Sequence, residues 1–374
     1  MNPQELFCPN MACPARGQVG KGNIHVHSQE DKRCICDVCG LTFATTTGTI
    51  FYRLRSNPQL VMWVIVLLAY GCPIQAIVKA FGLDERTVSD WQKRAGKQCQ
   101  QVHEQLVESS QHDLEQVQAD EIKVKIQKGI IWMALAIWVP TRLWMGGVMS
   151  PKRDMDLIQA LADKLRQMAL CRPLLLAVDG LASYVSAFRN AFRSKFPRQE
   201  GELGRCKMVS WQDIAIVQVV KQRVAGVLNV DRRIVQGAED MVNRLIKTTQ
   251  AKGVINTAFI ERLNATFRQR IDSLTRRTRT LAQQAETLAA GMYIVGCFYN
   301  FCDFHHSLRL KLSVGSFGHH WVQRTPAIAA GLTDHQWTPT ELLNFKVPPP
   351  RWELPKQRGR PSTAMLHLVQ QWAI

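Results

Sequence analysis

The stretch PLLLAVDGLASY, Pro173 to Tyr184, decides the fold. Leu174 to Val178 is an unbroken apolar run that ends at Asp179-Gly180. Such a run predicts a strand buried on both faces, as in the parallel sheets of α/β proteins. An acid at the carboxyl end of that strand stands where open α/β sheets place their ligand chemistry. Asp179 is therefore the first candidate site residue.

Upstream, DLEQVQADEIKVKIQKG reads as another strand. With period two, Asp120, Ile122, Val124 and Ile126 share one face, and Glu121, Lys123 and Lys125 the other. The apolar face is the packed one, so Asp120 is a carboxylate on the protein side, where it is costly without a partner. Glu121 shares the lysine face, and a solvated charge is the ordinary account of it. GIIWMALAIWV (129–139) and LWMGGVMS (143–150) predict two more strands, and Asp154 to Ala169 a helix. Downstream, Ile260, Leu263, Phe267, Ile271 and Leu274 recur at helical spacing, with Glu261, Asn264 and Arg268 beside that stripe. Taken alone, Glu261 reads as a salt-bridge partner of Arg262 or Arg268. If its helix crosses the sheet, Glu261 converges with Asp120 and Asp179. Three converging carboxylates suit Mg²⁺ (or Mn²⁺), which prefers oxygen ligands and assists phosphodiester cleavage.

The totals point the same way. A chain of 374 residues predicts two or three domains, and a hydrophobic share of 46% gives ample core. A formal charge of +17 and a pI near 9.6 mark a surface built for a polyanion, with nucleic acid ahead of an anionic membrane. The apolar run Leu60 to Tyr70 is too short to span a bilayer, and no signal peptide is read at the start. The expectation is a soluble, cytoplasmic protein whose 11 cysteines serve metal ligation or burial rather than disulfides.

The boundaries expected are 1–50, 57–107, 113–310, 311–345 and 346–374. In the first, Cys8 and Cys13, then Cys36 and Cys39, form two close pairs around a loop, the pattern of a structural Zn²⁺ site. Gly40 supplies unusual backbone angles there and Phe43 packs beneath the metal. Cys34 is the spare, a small apolar residue, and His25 and His27 read as ordinary loop residues. In the second, Pro73 opens a helix that Gly82 closes, and Asp84 caps the next. This is a helix-turn-helix pattern, with Arg86, Thr87, Ser89, Asp90, Lys93 and Arg94 at positions that can face DNA. Arg268, Arg270, Arg276, Arg277 and Arg279 follow the Glu261 helix with few acids nearby, a composition suited to phosphate. The Pro/Arg-rich segment from Lys346 holds Arg358-Gly359-Arg360-Pro361, similar to an AT-hook; a disordered basic tail is the plain alternative. His305 and His306 read equally as phosphate contacts or structural residues.

VQADEIKVKI, LLAVDGLASY and NTAFIERLNATFRQR resemble the three motif segments of bacterial insertion-sequence transposases with an RNase H-like Asp-Asp-Glu domain. CDVCGLTFATTTGT with the helix-turn-helix, and YNFCDFHHSLRL after the glutamate helix, are similar to the zinc-ribbon members of that group. The resemblance implies an α/β RNase H-like mixed sheet flanked by helices, preceded by a zinc ribbon and a helix-turn-helix domain. It makes Asp120, Asp179 and Glu261 a metal-binding catalytic triad, with Glu121 the rival of Asp120. The implied partner is double-stranded DNA, both element ends and target, handled by a homo-oligomer without membrane association. The 81 residues from 180 to 260 exceed the short gap of many such enzymes, which implies an extra element around 199–255. A catalytically silent DNA-binding regulator and an RNase H-like nuclease are the alternatives.

Overall fold

The computed structural model describes residues 2–127, 129–196, 204–224, 226–250, 253–275, 284–313, 319–354, 359 and 361–372. The chain divides into two compact units, Met1–Val61 with Leu343–Ile374, and Met62–Leu342.

In the first unit, β1 (Ile24–Ser28), β2 (Arg33–Cys36) and β3 (Thr42–Ala44) form an antiparallel sheet in that order. Ile24, Cys34 and Phe43 are buried beside Cys8, Cys13 and Cys36. The same small core takes in Trp372 and Leu368 of a C-terminal helix, Thr363–Trp372. That segment is tied down by the Arg16 guanidinium, which donates to the carbonyls of Pro350 (2.7 Å) and Arg351 (3.0 Å). Gln18 donates to the Trp372 carbonyl at 2.7 Å. The described part of the C-terminal stretch is therefore packed and partly helical, not a free basic tail. Arg358 and Arg360 lie outside the described residues.

The second unit begins within α1 (Pro58–Ala69), followed by α2 (Ile74–Phe81) and α3 (Glu85–His103). The local signals act as read. Pro73 precedes α2, Gly82 ends it in the left-handed region (φ 63°), and the Asp84 carboxylate accepts from the Arg86 N–H at 2.8 Å. Ile77, Val88 and Trp91 are buried, while Ile74, Val78 and Phe81 are half-buried. α3 runs on to His103, and its second half is buried from Ala95 to Val102 at every third or fourth position. The three helices share one compact unit with the sheet, so the units cut the chain differently from the sequence boundaries.

The sheet has the order β11-β10-β7-β4-β5-β6. Its strands are β4 (Gln116–Ile126), β5 (Gly129–Trp138), β6 (Leu143–Ser150) and β7 (Leu174–Asp179), then β10 (Ile214–Val224) and β11 (Val227–Gln236). A separate pair, β8 (Arg193–Lys195) and β9 (Met208–Ser210), lies between β7 and β10 in the chain. β4, β5 and β6 form an antiparallel meander, β4 pairs parallel to β7, β7 parallel to β10, and β10 antiparallel to β11. The parallel crossovers use α4 (Met155–Met168) and α5 (Ala182–Ala191). α6 (Glu239–Thr249) packs Val242 and Ile246 onto Ala177, Ala215 and Val217. α7 (Ala258–Arg270) and α8 (Ala285–Cys297) follow. Much of the long gap before Glu261 is thus accounted for: β10 completes the sheet, and β11 and α6 extend it. Among the described residues, no helix is long and apolar enough to cross a membrane.

Candidate functional site

The parallel register fixes the first two acids. Gln118 pairs with Ala177, where the pairing of β4 and β7 ends. Asp120 and Asp179 each lie two residues further on, so they stand level on neighbouring strands and on the same face. Carboxylate oxygens of Asp120, Glu121 and Asp179 lie within 4.8 Å of one another.

Glu121 corrects the sequence reading. Lys123 and Lys125 are exposed as expected, but the Glu121 side chain is only 1% exposed. It accepts a hydrogen bond from the Tyr184 hydroxyl of α5 at 2.8 Å and is paired with the Arg153 guanidinium. Alternation gave its face correctly; it could not show that a helix covers that face. Arg153 also reaches Asp179 at 3.2 Å, bridging two of the three carboxylates. Asp179 further accepts from the Leu181 N–H at 2.9 Å, which turns the chain into α5.

Glu261 is brought in by α7, and the strand itself positions that helix. Gln118 is fully buried, and its Oε1 accepts from the N–H groups of Phe259 and Ile260, both at 3.0 Å. Its Nε2 donates to the Asn256 carbonyl at 2.7 Å. A side chain of β4 thus satisfies two of the free donors at the start of α7. One turn later Asn264 Nδ2 donates to Asp120 at 2.8 Å. Gln118 and Asp120, two apart on one strand face, therefore hold α7 at two points. Sequence reading passed over Gln118, although an amide two residues before Asp120 on the packed strand face was the available signal.

Asp120, Asp179 and Glu261 line one cavity of about 490 Å³, together with Arg153, Lys221 and Thr257. The convergence read from sequence is met in part. Asp120 and Asp179 belong to the close cluster, whereas Glu261 shares the cavity and is paired with Lys221 of β10. Thr257 also donates to Glu261, at 2.6 Å. The isolated helix suggested Arg262 or Arg268; the cation seen paired with Glu261 is Lys221.

The electrostatics match this division. Burial first, then the charges of Glu121 and Asp179, push Asp120 up to about 7. Burial and Asp179 likewise raise Glu121. Burial would raise Glu261 too, but the hydrogen bonds from Lys221 and Thr257 outweigh it and hold Glu261 below the usual carboxylate range. Three carboxylates with oxygens within 4.8 Å of one another suit a divalent cation such as Mg²⁺ or Mn²⁺.

In the first unit the thiols of Cys8, Cys13, Cys36 and Cys39 lie within 4.8 Å of one another. Cys8 and Cys39 are 3.6 Å apart and Cys13 and Cys36 3.9 Å. Tetrahedral zinc with Zn–S bonds of about 2.3 Å requires S···S edges of about 3.8 Å, so this set fits zinc. Cys34 is buried apart from the set, and His25 lies on β1 paired with Asp37 at 2.7 Å. Gly40 adopts φ 67° next to Cys39, the backbone angle expected of it. Burial pushes Cys13 up to about 12. For Cys39 burial is outweighed by hydrogen bonds from the Asn10 side chain and the Leu41 N–H, bringing it to about 7.

Of the basic candidates, Arg86 and Arg94 are exposed, and Thr87 and Ser89 half-buried. Lys93 is paired with Glu286 at 3.3 Å and Gln284 at 3.2 Å, so α8 already holds it. Arg268 acts through space on Asp120. Arg270 needs correction as a phosphate contact: it is 17% exposed, pairs with Asp303 at 2.6 Å and stacks on Tyr70. Arg276, Arg277 and Arg279 lie outside the described residues. His305 packs edge-on against Tyr299 and is pushed down to about 4 by burial; His306 is exposed. No protein-family model matches this chain, and no curated protein matches it.

Proposed function

We propose that the protein is a DNA transposase that cuts and joins DNA at the cavity holding Asp120, Asp179 and Glu261. The observation that carries this reading is that three acids 59 or more residues apart in sequence line one cavity. The sheet order supports it: an antiparallel meander continued by two parallel strands is the arrangement implied by an RNase H-like core. So do the charge of +17 and the cysteine set, which fits the zinc ribbon of the proposed group.

In this reading Asp120, Glu121 and Asp179 hold Mg²⁺ or Mn²⁺, which supplies Lewis-acid assistance to phosphodiester chemistry. Arg153 and Arg268 draw the phosphate backbone to the cavity. Asn264 and Gln118 keep α7, and with it Glu261, at fixed height over β4. Water first displaces a 3′-oxygen from phosphorus, and the freed 3′-hydroxyl then displaces another in target DNA, so each step exchanges one P–O bond for another. The exposed Arg86 and Arg94, on a helix-turn-helix, contact the element ends. A dimer or larger assembly brings two ends together.

The test uses the purified protein with Mg²⁺ and DNA carrying the inverted repeats that flank its gene. Nicking at the repeat ends and strand transfer are expected, with Asp179→Ala and Glu261→Gln retaining binding and losing both. Fully active variants overturn the reading. One observation favours a silent DNA-binding regulator: Arg153 and Lys221 already engage Glu121, Asp179 and Glu261. Retarded DNA without any cleavage would choose that alternative.

A further inference from the structure

The cavity contains two cations of different standing. Arg153 pairs with Glu121, whose side chain is 1% exposed, and is further packed over the Trp132 ring. Lys221 and Glu261 are 43% and 46% exposed. Exposed pairs of the second kind contribute little to stability and are readily exchanged. Lys221 also sits past the point where β10 is fixed to β7, since that pairing ends at Val219. Beyond it, the strand partner of Lys221 is Val230 of β11. The carboxylate it holds is the one cavity-lining acid that stands outside the close cluster of Asp120, Glu121 and Asp179.

We infer that Lys221 is a positioning residue that competes with the divalent cation for Glu261, holding this carboxylate aside until the cation takes it. The inference rests on the reading that the cluster accepts such a cation. Lys221 acts on the site in two ways: it occupies the Glu261 oxygen, and it places a positive charge on the cavity wall. Only the first depends on Glu261, and this separates the inference from a general effect of charge.

Calorimetric titration of the zinc-loaded full chain with MnCl₂ tests it, using wild type, Lys221→Met, Lys221→Arg, Glu261→Gln and the double variant Lys221→Met/Glu261→Gln. Methionine keeps most of the exposed stem, so folding is spared. Lys221→Met should bind Mn²⁺ roughly 1.5- to 5-fold more tightly, the range that releasing an exposed ion pair allows. Lys221→Arg, which keeps the pair, should stay within about twofold of wild type. In the Glu261→Gln background the gain from Lys221→Met should shrink to the part that the wall charge alone contributes. Unchanged or weaker binding by Lys221→Met overturns the inference, as does an equal gain in both backgrounds. A wild type that binds no Mn²⁺ overturns it together with the cation site. Loss of DNA cleavage with the binding cycle intact would strike the transposase reading alone.

Discussion

Replacing Gln118 by leucine tests how β4 builds the site. The exchange keeps the side-chain volume close to that of glutamine, so the cavity term is small. It removes the acceptor for two N–H groups at the start of α7 and the donor to the Asn256 carbonyl. Gln118 is fully buried, so water replaces these partners poorly. Each group left unpaired costs about 1–3 kcal/mol, and part is recovered as the first turn of α7 opens to solvent. A net loss of about 2–5 kcal/mol follows. At roughly 2 °C per kcal/mol for a unit of this size, the melting transition of Met62–Leu342 falls by about 4–10 °C. Hydrogen exchange read by mass spectrometry should show the protection loss concentrated at Phe259 and Ile260. A melting point within about 1 °C of wild type, with those amides still protected, would refute the claim that the strand caps the helix.

Three further outcomes follow from the cysteine set and the helix packing. The Cys8, Cys13, Cys36 and Cys39 set should hold one zinc per chain, and Cys36→Ser should release it and expose Trp372, read by its fluorescence. Burial raises the Cys8 and Cys13 thiols, so zinc uptake at neutral pH must expel their protons, and apparent affinity should fall as pH drops. Titration in buffers of different ionisation enthalpy measures that release. Gly96→Ala would place a Cβ 2.4 Å from the Ala290 Cα, a backbone atom of α8 that no rotamer change moves. The variant should lose about 3 kcal/mol in chemical denaturation, and an unchanged midpoint would contradict the close approach of α3 and α8.

Much of the fold was legible because short-range chemistry wrote it. The Leu174–Val178 run, Pro73, Gly82, Asp84 and Gly40 each fix backbone geometry within a few residues. What stayed illegible depends on cover. Period two assigned Glu121 to the face opposite Asp120, yet only the packing of α5 converts that position from solvated to buried. Arg153 and Lys221 carry no local mark of their role, since one among 47 basic residues is as anonymous as one among 30 acids. The same limit hid the burial of the second half of α3, whose polar stretch after Ala95 carries no local sign that Gly96 meets α8. It also hid the fate of the C-terminal stretch, where Trp372 closes the small cysteine core.

The distribution of counter-ions argues where a cation would gain most. Glu121 and Asp179 share Arg153, and Glu261 has Lys221. Asp120 accepts from a neutral amide, Asn264, and the charge of Arg268 acts on it too. It is also the carboxylate lifted to about 7, so near neutral pH it is the acid of this cluster most ready to carry a proton. A divalent ion that displaces this proton converts the least compensated acid into a ligand without breaking an ion pair. Mn²⁺ binding should therefore release protons near neutral pH, and Asp120→Asn should lessen that release while leaving Arg153 on its two partners.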